Sequence, residues 1–321
     1  MRYFWFNRSR YTFSLNQLYN ALEISKQAVH NMINRYRKNM EEEHQLLSLV
    51  HDIRKDHPTM GVRDIYYKLR PENMGRDAFE ALCKRYDLMS KRDRNYRRTT
   101  DSTGVVRFNN LMDTIELTST DQLWQTDITY FEVNGKFYYL TFILDAYSRR
   151  IVGYHVSKRL YTEDTTLPAL WMAIILRGNK KLCKLILHSD GGGQYYDTDF
   201  LELTKLYEIT NSMCEYAWEN GKAERINGII KNNYLKHRKI NTYEELVKEV
   251  DRAVYLYNTE KPHIGLQRMT PVTFENKLIS LSEQTTPKMT KSLNAKARFL
   301  GALSPKKSEQ TPPLNQNVLP Q

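Results

Sequence analysis

Residues 121–158 carry the pattern that most restricts the fold. Three consecutive segments, at 123–133, 136–149 and 150–158, are rich in β-branched and aromatic residues and are separated by short polar turns. The first turn is Asn134–Gly135, a dipeptide favoured in two-residue hairpins. The pattern predicts three antiparallel strands.

The segments that follow alternate between helical and strand character. Helices are predicted at 162–177, 198–208, 222–238 and 242–259, and strands at 184–190 and 209–214. Together with the first three strands they indicate an α/β domain over residues 121–280, with a mixed five-stranded sheet flanked by helices. Residues 281–321 are rich in Pro, Ser, Thr, Asn, Gln and Lys, which indicates a basic, disordered tail.

Residues 1–100 read as an all-α region. The segment "LNQLYNALEISKQAVHNMINR" predicts two helices within 16–35, with a turn near Ile24–Ser25 and with Ser25 as the N-cap of the second helix. This spacing fits a DNA-binding helix-turn-helix, and an ordinary helical hairpin is the alternative. A second helical pair is predicted within 60–90, and residues 101–120 read as a linker.

The net charge of +11 makes a polyanion the first partner to consider. DNA leads, and an anionic membrane surface follows. The segment 84–98 is basic and carries two tyrosines, so it could track a phosphate backbone or simply be a solvated linker. The candidate DNA ligands in it are Lys91, Arg92, Arg94, Arg97 and Arg98.

The remaining composition limits the environment. Cys83, Cys183 and Cys214 are isolated, so neither a disulfide framework nor a zinc cluster is indicated. The longest apolar run, 167–176, is about half the length of a membrane-spanning helix, and residues 1–10 lack the apolar segment of a signal peptide. We therefore expect no membrane span and a reducing cytoplasm.

Three acidic residues form the strongest candidate site. Asp127 lies within a predicted strand whose alternation puts Gln125 and Thr129 on the same side, and Asp190 ends another strand. Glu224 begins a long helix, and a regular helical period places Leu235 on the side that carries Glu224. Such a cluster would repel itself unless it bound hard cations, and two Mg²⁺ or Mn²⁺ ions held this way catalyse phosphodiester chemistry. Taken singly, each acid has a structural alternative, as a strand-end hydrogen bonder, a turn residue or an exposed first-turn residue.

Four sequence blocks resemble the signature blocks of the integrase core in transposases of the insertion-sequence-three (IS3) family, which are related to retroviral integrases. They are "WQTDITY", "HSDGGGQY", "WENGKAERINGIIK" and "YNTEKPHIGLQRMTP", and the resemblance covers about residues 60–280. It implies an RNase H-like fold in which Asp127, Asp190 and Glu224 are the catalytic, metal-binding triad. It also implies DNA cleavage at the element ends followed by strand transfer from a 3′-hydroxyl.

The resemblance carries further expectations about DNA and partners. Lys231 matches the family's basic residue that contacts the DNA end, and further DNA contacts are expected from Lys222, Arg225, Asn227 and Gln194. The resemblance also implies that the protein acts as a homo-oligomer on paired DNA ends. It implies as a further partner a DNA-binding protein encoded in an upstream frame.

Some positions depart from the family pattern. Gly191 replaces a usual arginine, Arg225 replaces a usual serine, and Asp190 and Glu224 are slightly closer in sequence than is usual. Glu219 is a rival for the third acid, although its position before the helix favours a loop role. Asp145 is expected to be structural, and His263 either touches DNA or forms a structural hydrogen bond.

Two other functions compete with a transposase. One is an RNase H-like nuclease acting on RNA–DNA hybrids, and the other is a catalytically silent DNA-binding regulator derived from a transposase. The glycine triplet 191–193 raises a third idea, a phosphate-binding loop, but it lacks the following lysine and serine or threonine. The block is therefore expected to deliver Asp190, with the glycines allowing close approach of backbone to metal or DNA.

Overall fold

The computed structural model describes residues 1–90, 108–112, 115–215 and 217–285. The chain divides into two compact units, Met1–Leu278 and Ile279–Gln321, and the second is described only as far as residue 285. The five predicted DNA ligands between Lys91 and Arg98 and the tail after residue 285 lie outside the described residues. Within the described ranges, no helix is both long and apolar enough to cross a membrane.

Five α-helices form the described part of the N-terminal region, and the predicted cap at Ser25 is present. Ser14 forms a capping box with Gln17, and the Ser25 side chain accepts a hydrogen bond from the Ala28 backbone N–H, so the predicted N-cap is confirmed. The predicted second helical pair is also present. The helices are α1 (Arg2–Phe6), α2 (Leu15–Ala21), α3 (Lys26–Asp56), α4 (Val62–Leu69) and α5 (Arg76–Arg85).

A mixed five-stranded sheet follows, in the order β3-β2-β1-β4-β5. The first three strands are antiparallel, whereas β1, β4 and β5 run parallel to one another. The strands are β1 (Leu123–Val133), β2 (Lys136–Asp145), β3 (Ile151–Ser157), β4 (Ile186–Ser189) and β5 (Thr210–Met213). The predicted five-stranded, RNase H-like architecture is confirmed.

The turns between the antiparallel strands explain where the strands end. Asn134 and Gly135 both have positive φ, as a two-residue hairpin of this type requires, and Val133 pairs with Lys136. The second strand was predicted to reach residue 149 but ends at Asp145. The Asp145 carboxylate accepts hydrogen bonds from the backbone N–H groups of Tyr147 and Ser148 and so holds a turn. Asp145 is structural, as expected.

Helices cover both faces of the sheet. On one face, Trp124 packs with Leu170 and Phe200 from α6 (Thr166–Leu176) and α7 (Thr198–Leu206). On the other, Phe142 packs with Ile226 and Val250. The helices on that second face are α8 (Gly221–Ile229) and α9 (Tyr243–Thr259), and the last described helix is α10 (Pro271–Thr285). The helix α10 was not predicted.

The helix predicted at 222–238 is interrupted. After α8 the chain forms a π-helical turn, Ile230–Tyr234, and then a short 3₁₀ segment, Leu235–His237. The wider turn changes the direction of the side chains beyond it. Leu235 was expected on the same stripe as Glu224, but it is fully buried in the core instead.

The helical region contacts the chain at the C-terminal ends of α8 and α9. Imidazole Nδ1 of the buried His57 lies 3.1 Å from Tyr234 Oη, just after α8. Lys68 Nζ donates to Glu260 Oε2 at 2.8 Å, at the end of α9. These contacts hold the end of α3 and the whole of α4 beside the helices of the core.

A buried ionic cluster ties α10 to the edge of the sheet. Glu275, on α10, accepts hydrogen bonds from Arg177, Arg150 and Ser148 at 2.6–2.9 Å. Arg177 also pairs with Asp121, just before β1. Burial alone would raise the pKa of Glu275, but the hydrogen bonds and positive charge of its partners outweigh this effect and lower the pKa to about 2.

We expect Glu275→Gln to lower the free energy of unfolding by about 3–5 kcal/mol at neutral pH, because it leaves buried guanidinium groups uncompensated. A lowered folded-state pKa stabilises the protein fully above the unfolded-state pKa of about 4.3 and progressively less below it. The difference between wild type and variant should therefore shrink as the pH falls from 5 toward about 2.

Urea unfolding at several pH values measures this difference. Glu244→Gln is the matched control, since Glu244 is exposed and lies 3.9 Å from Lys158, so it should change stability little. A Glu275→Gln variant as stable as the control at neutral pH would show that the cluster is not stabilising.

Candidate functional site

The side of β1 that carries Asp127 faces α8 and the segment leading into it. Gln125 Nε2 donates to the Glu219 carbonyl at 3.3 Å, and Asp127 Oδ2 accepts from Asn227 Nδ2 at 2.7 Å. Two residues further on, Thr129 Oγ1 accepts from Lys231 Nζ at 2.6 Å. The strand alternation that groups these three β1 residues is confirmed, and each of them has a partner on the α8 side.

Asp190 lies beside Asp127 because of the parallel pairing between β1 and β4. The register pairs Trp124 with Leu187 and Gln125 with His188. Continued by two residues, it brings Asp127 level with Asp190, which immediately follows the end of β4. The sheet therefore places two carboxylates side by side where β4 stops and β1 continues.

The glycine triplet shapes the surroundings of Asp190. The Gly192 backbone N–H donates to Asp190 Oδ1 at 3.1 Å, and a Cβ on Gly192 would lie 3.1 Å from the same oxygen. Glycine therefore keeps this carboxylate uncrowded. The triplet has no positive φ among the described residues, so left-handed backbone is not its purpose. A Cβ on Gly191 would lie 2.9 Å from Met213 Cε, so an arginine there would first have to displace Met213.

Glu224 reaches the same region from the first turn of α8. Asn220, Glu224, Asn227 and Lys231 recur at intervals of three or four residues and so share one helix face. Asn220 Nδ2 donates to the Thr126 carbonyl at 2.8 Å, and Asn227 and Lys231 bind Asp127 and Thr129. Glu224 is exposed, and three members of its stripe touch β1, so it stands over the strand next to Asp127.

The pKa of Asp127 is raised by its burial and by the neighbouring carboxylates. Burial, and then the negative charges of Asp190 and Glu224, raise the pKa of Asp127 to about 7, against weaker hydrogen bonds from Ile128 and Asn227. Burial also raises the pKa of Asp190, although the Gly192 N–H opposes the shift. The metal-free cluster therefore holds its negative charge at a cost in free energy.

The donor chemistry of these side chains suits a hard divalent cation. All three donors are carboxylates, the ligand type that Mg²⁺ and Mn²⁺ prefer, and a cation would relieve the repulsion that raises the pKa of Asp127. Within the described residues, no three acidic, histidine or cysteine side chains are already drawn together tightly enough to enclose an ion. The sheet and α8 bring the three acids to one place and leave Glu224 exposed to solvent.

The other predicted site residues occupy different surroundings. Lys231 is partly buried, also donates to the Tyr130 carbonyl at 3.3 Å, and lies over the Tyr130 ring. Lys222 Nζ donates to the Ala146 carbonyl at 3.3 Å, and Gln194 Nε2 donates to the Leu160 carbonyl at 3.0 Å. Arg225 is exposed on the neighbouring side of α8. Lys91, Arg92, Arg94, Arg97 and Arg98 lie outside the described residues.

Two positioning residues escaped the sequence analysis. Asn220 was read as part of a loop, although its amide fixes the start of α8 to β1. Tyr195 lies inside the glycine block, and its buried hydroxyl is 3.2 Å from Thr126 Oγ1. The rival acid, Glu219, instead accepts a hydrogen bond from the Glu215 backbone N–H at 2.7 Å, as a loop residue would.

Comparison with known proteins defines the class. Two models of the integrase core domain match this chain, over residues 118–217 and 208–271. Solved structures of low similarity include the magnesium-bound catalytic core of HTLV-2 integrase in its trimeric form, at 22% identity and a TM-score of 0.39. It covers 48% of this chain and 96% of that one.

Curated relatives narrow the class to a family. The IS600 31 kDa protein of Shigella sonnei is 31% identical over 226 residues, covering 68% of this chain and 82% of the relative. The putative IS150 transposase InsK of Escherichia coli is 26% identical, covering 67% and 72%. The IS3A transposase InsF of the same species is 29% identical, covering 49% of this chain and 54% of InsF. The chain belongs to the IS3-type family of DNA transposases with an integrase core.

The desolvated and crowded Asp127 carboxylate should lower the stability of the folded protein. We expect Asp127→Asn to raise the melting temperature in EDTA at pH 8, because asparagine removes a desolvated charge and keeps an acceptor for Asn227. A folded-state pKa of about 7, above the unfolded value of about 3.9, means that the wild-type penalty grows from about pH 4 to 7. The increase in melting temperature of Asp127→Asn over wild type should therefore be small at pH 5 and reach its full size at pH 8.

Calorimetry with and without Mg²⁺ completes the test. Mg²⁺ should raise the melting temperature of wild type, since it binds the folded state, and should have little effect on Asp127→Asn. Asp199→Asn, at an exposed position on α7, is the control and should respond to Mg²⁺ as wild type does. An Asp127→Asn variant that is less stable than wild type in EDTA at pH 8 would contradict the electrostatic account.

Proposed function

We propose that this transposase cuts DNA at the ends of its element and joins the freed ends to target DNA through Asp127, Asp190 and Glu224. The observation that carries the proposal is geometric: the register of β1 and β4 sets Asp127 level with Asp190, and the helix face that binds β1 carries Glu224. Two acids come from adjoining parallel strands, and the third stands over them on α8. Membership of a transposase family makes phosphodiester chemistry the natural use of such a cluster.

The three acids would together hold two Mg²⁺ or Mn²⁺ ions. Such ions, when bound, increase the nucleophilicity of the attacking oxygen and stabilise the leaving oxygen in an in-line displacement. The protein contributes rigid placement: Asn227 orients Asp127 and the Gly192 N–H orients Asp190. Because Thr126 and Asn220 join β1 to the start of α8, these hydrogen bonds fix the strand and the helix as a unit.

The reaction proceeds in two displacements at phosphorus. In the first, water attacks the phosphodiester at the element end, the bond to the 3′-oxygen breaks, and that oxygen leaves as a 3′-hydroxyl after protonation. In the second, this hydroxyl loses its proton and attacks a target phosphodiester, and the displaced target 3′-oxygen leaves. Each step forms one phosphorus–oxygen bond and breaks one, so no covalent enzyme intermediate is needed.

Basic groups around the cluster would hold the DNA. We assign DNA contacts to Lys231, Lys222 and Arg225, which flank Glu224 on α8. Lys231 is fixed by Thr129 and the Tyr130 carbonyl, so its ammonium group sits at a defined position beside the site. Asn227 and Gln194 already donate to protein acceptors, which supports positioning roles for both.

The wider assembly follows from the same proposal. The helical region within residues 1–100 would recognise the element ends, the domain at 121–280 would perform catalysis, and the linker 101–120 would join them. We also propose that the protein acts on DNA as a homo-oligomer holding paired ends, with a DNA-binding protein from an upstream frame as a further partner.

Substitution of the triad tests the chemistry. We expect Asp127→Asn, Asp190→Asn and Glu224→Gln each to lower Mg²⁺-dependent strand transfer at least about 100-fold, equivalent to roughly 2.7 kcal/mol of transition-state stabilisation. Each substitution keeps side-chain size and removes one negative charge. Glu219→Gln is the matched control and should retain near-wild-type activity, because its carboxylate serves a loop hydrogen bond.

The assay uses purified full-length protein, supercoiled target DNA and a duplex carrying the element's terminal repeat. Retained strand transfer in any triad variant would remove that residue from the proposed site. Cleavage of an RNA–DNA hybrid that lacks element ends would favour the nuclease. End-specific binding by wild type with no metal-dependent nicking would favour the silent regulator.

A further inference from the structure

A large cleft separates the helical region from one side of α8. Its volume is about 1140 Å³. One wall is formed by residues between His57 and Asp64, at the end of α3 and the start of α4. The other is formed by one side of α8 and by the turn after α9, which includes Lys261 and Gly265. Nothing in the triad chemistry uses this space.

The cleft has a strongly positive lining. Among the described residues that line it, Asp64 is the one acid, and its carboxylate is already bound by Arg268 at 2.6 Å and approached by Lys261 at 3.9 Å. The cationic lining residues are Arg149, Lys222, Arg225, Lys236 and Lys261. Most of this positive charge has no counter-charge on the cleft wall, so the space suits an anion.

Arg149 is held in the cleft by an unusual local arrangement. Its backbone adopts a left-handed φ of 59°, and its side chain packs against Gly265. A Cβ on Gly265 would lie 2.6 Å from one guanidinium nitrogen and 2.9 Å from the central carbon. The glycine thus makes room for the guanidinium group. No ion pair to the Arg149 side chain occurs among the described residues.

His263 is an uncharged part of the cleft lining and is 8% exposed. Burial, and then the positive charges of Lys261 and Arg149, lower the pKa of His263 to about 3. The positive charge of the cleft therefore comes from its arginine and lysine side chains and not from this ring.

The position of the cleft connects it to the catalytic cluster. Arg225 lines the cleft and directly follows Glu224, so the two sites occupy neighbouring sides of α8. Successive phosphates of one DNA strand are spaced closely enough for a strand held in the cleft to continue past Glu224 to the triad. A duplex or single strand presents such a row of anions, whereas an isolated phosphate would use a fraction of this volume.

We propose that this cleft holds the phosphodiester backbone of the DNA substrate next to the reacting phosphate, with Arg149 and Lys261 as ligands. The proposal deepens the proposed function and rests on it for the identity of the substrate. Contacts of this kind do not read sequence, so the cleft would position any DNA that reaches the triad.

Salt dependence of DNA binding tests the cleft separately from catalysis. Each phosphate neutralised by the protein contributes about 0.9 to the slope of log affinity against log salt concentration. In a Glu224→Gln background, which prevents cleavage, we expect Arg149→Gln and Lys261→Gln each to reduce the slope by about that amount. Lys205→Gln, which removes an exposed charge on α7, is the matched control and should leave the slope unchanged.

Gly265→Ala provides a second test that removes no charge. The added Cβ should displace the Arg149 guanidinium and weaken DNA binding as Arg149→Gln does. The double variant should bind DNA as tightly as either single variant, because both substitutions remove the same contact. Gly265 is exposed and has no positive φ, so alanine should not disturb folding, and thermal melting verifies this.

Neutral methylphosphonate linkages placed singly along the DNA locate the contact. A linkage that weakens binding to the parent protein but not to Arg149→Gln would support the cleft assignment. Unchanged salt slopes in both the Arg149 and Lys261 variants would overturn it, even with active wild-type protein. Normal slope changes with no metal-dependent cleavage by wild type would support the cleft and overturn the proposed chemistry.

Discussion

The packing of α8 along β1 is the contact on which the candidate site depends. Three amide or amine groups on one helix face, from Asn220, Asn227 and Lys231, bind successive positions of the strand. They fix both the rotation of the helix and its position along the strand. Glu224 belongs to the same face, so its placement beside Asp127 follows without any contact of its own.

The placement of Asp127 near two other carboxylates destabilises the folded protein, and packing elsewhere in the fold offsets this effect. Asp127 is desolvated and lies near two other carboxylates, which is unfavourable until a cation is present. The large apolar clusters on both sheet faces and the buried Glu275–Arg177 cluster supply stability at a distance from it. Local instability at the site is therefore compatible with a rigid scaffold, as is common where function requires groups that repel one another.

Much of the catalytic domain could be predicted from the sequence because its signals are local. Strand alternation grouped Gln125, Asp127 and Thr129 correctly, and Asn134–Gly135 identified the hairpin. The role of Asn220 depends on a tertiary contact with β1 and leaves no local pattern. The helix α10 was missed for a similar reason, since its key residue, Glu275, is explained by arginines about a hundred residues away. Leu235 was placed on the wrong side because a regular helix was assumed beyond Ile229.

The π-helical turn at Ile230–Tyr234 lies between two sets of contacts made by one continuous run of helix, one with β1 and one with the helical region. Before it, the helix presents polar groups to β1. At its last residue, Tyr234 lies beside His57 of the helical region, and directly after it Leu235 is buried in the core. The irregular turn thus lets one run of helix contact β1 near its start and the helical region near its end.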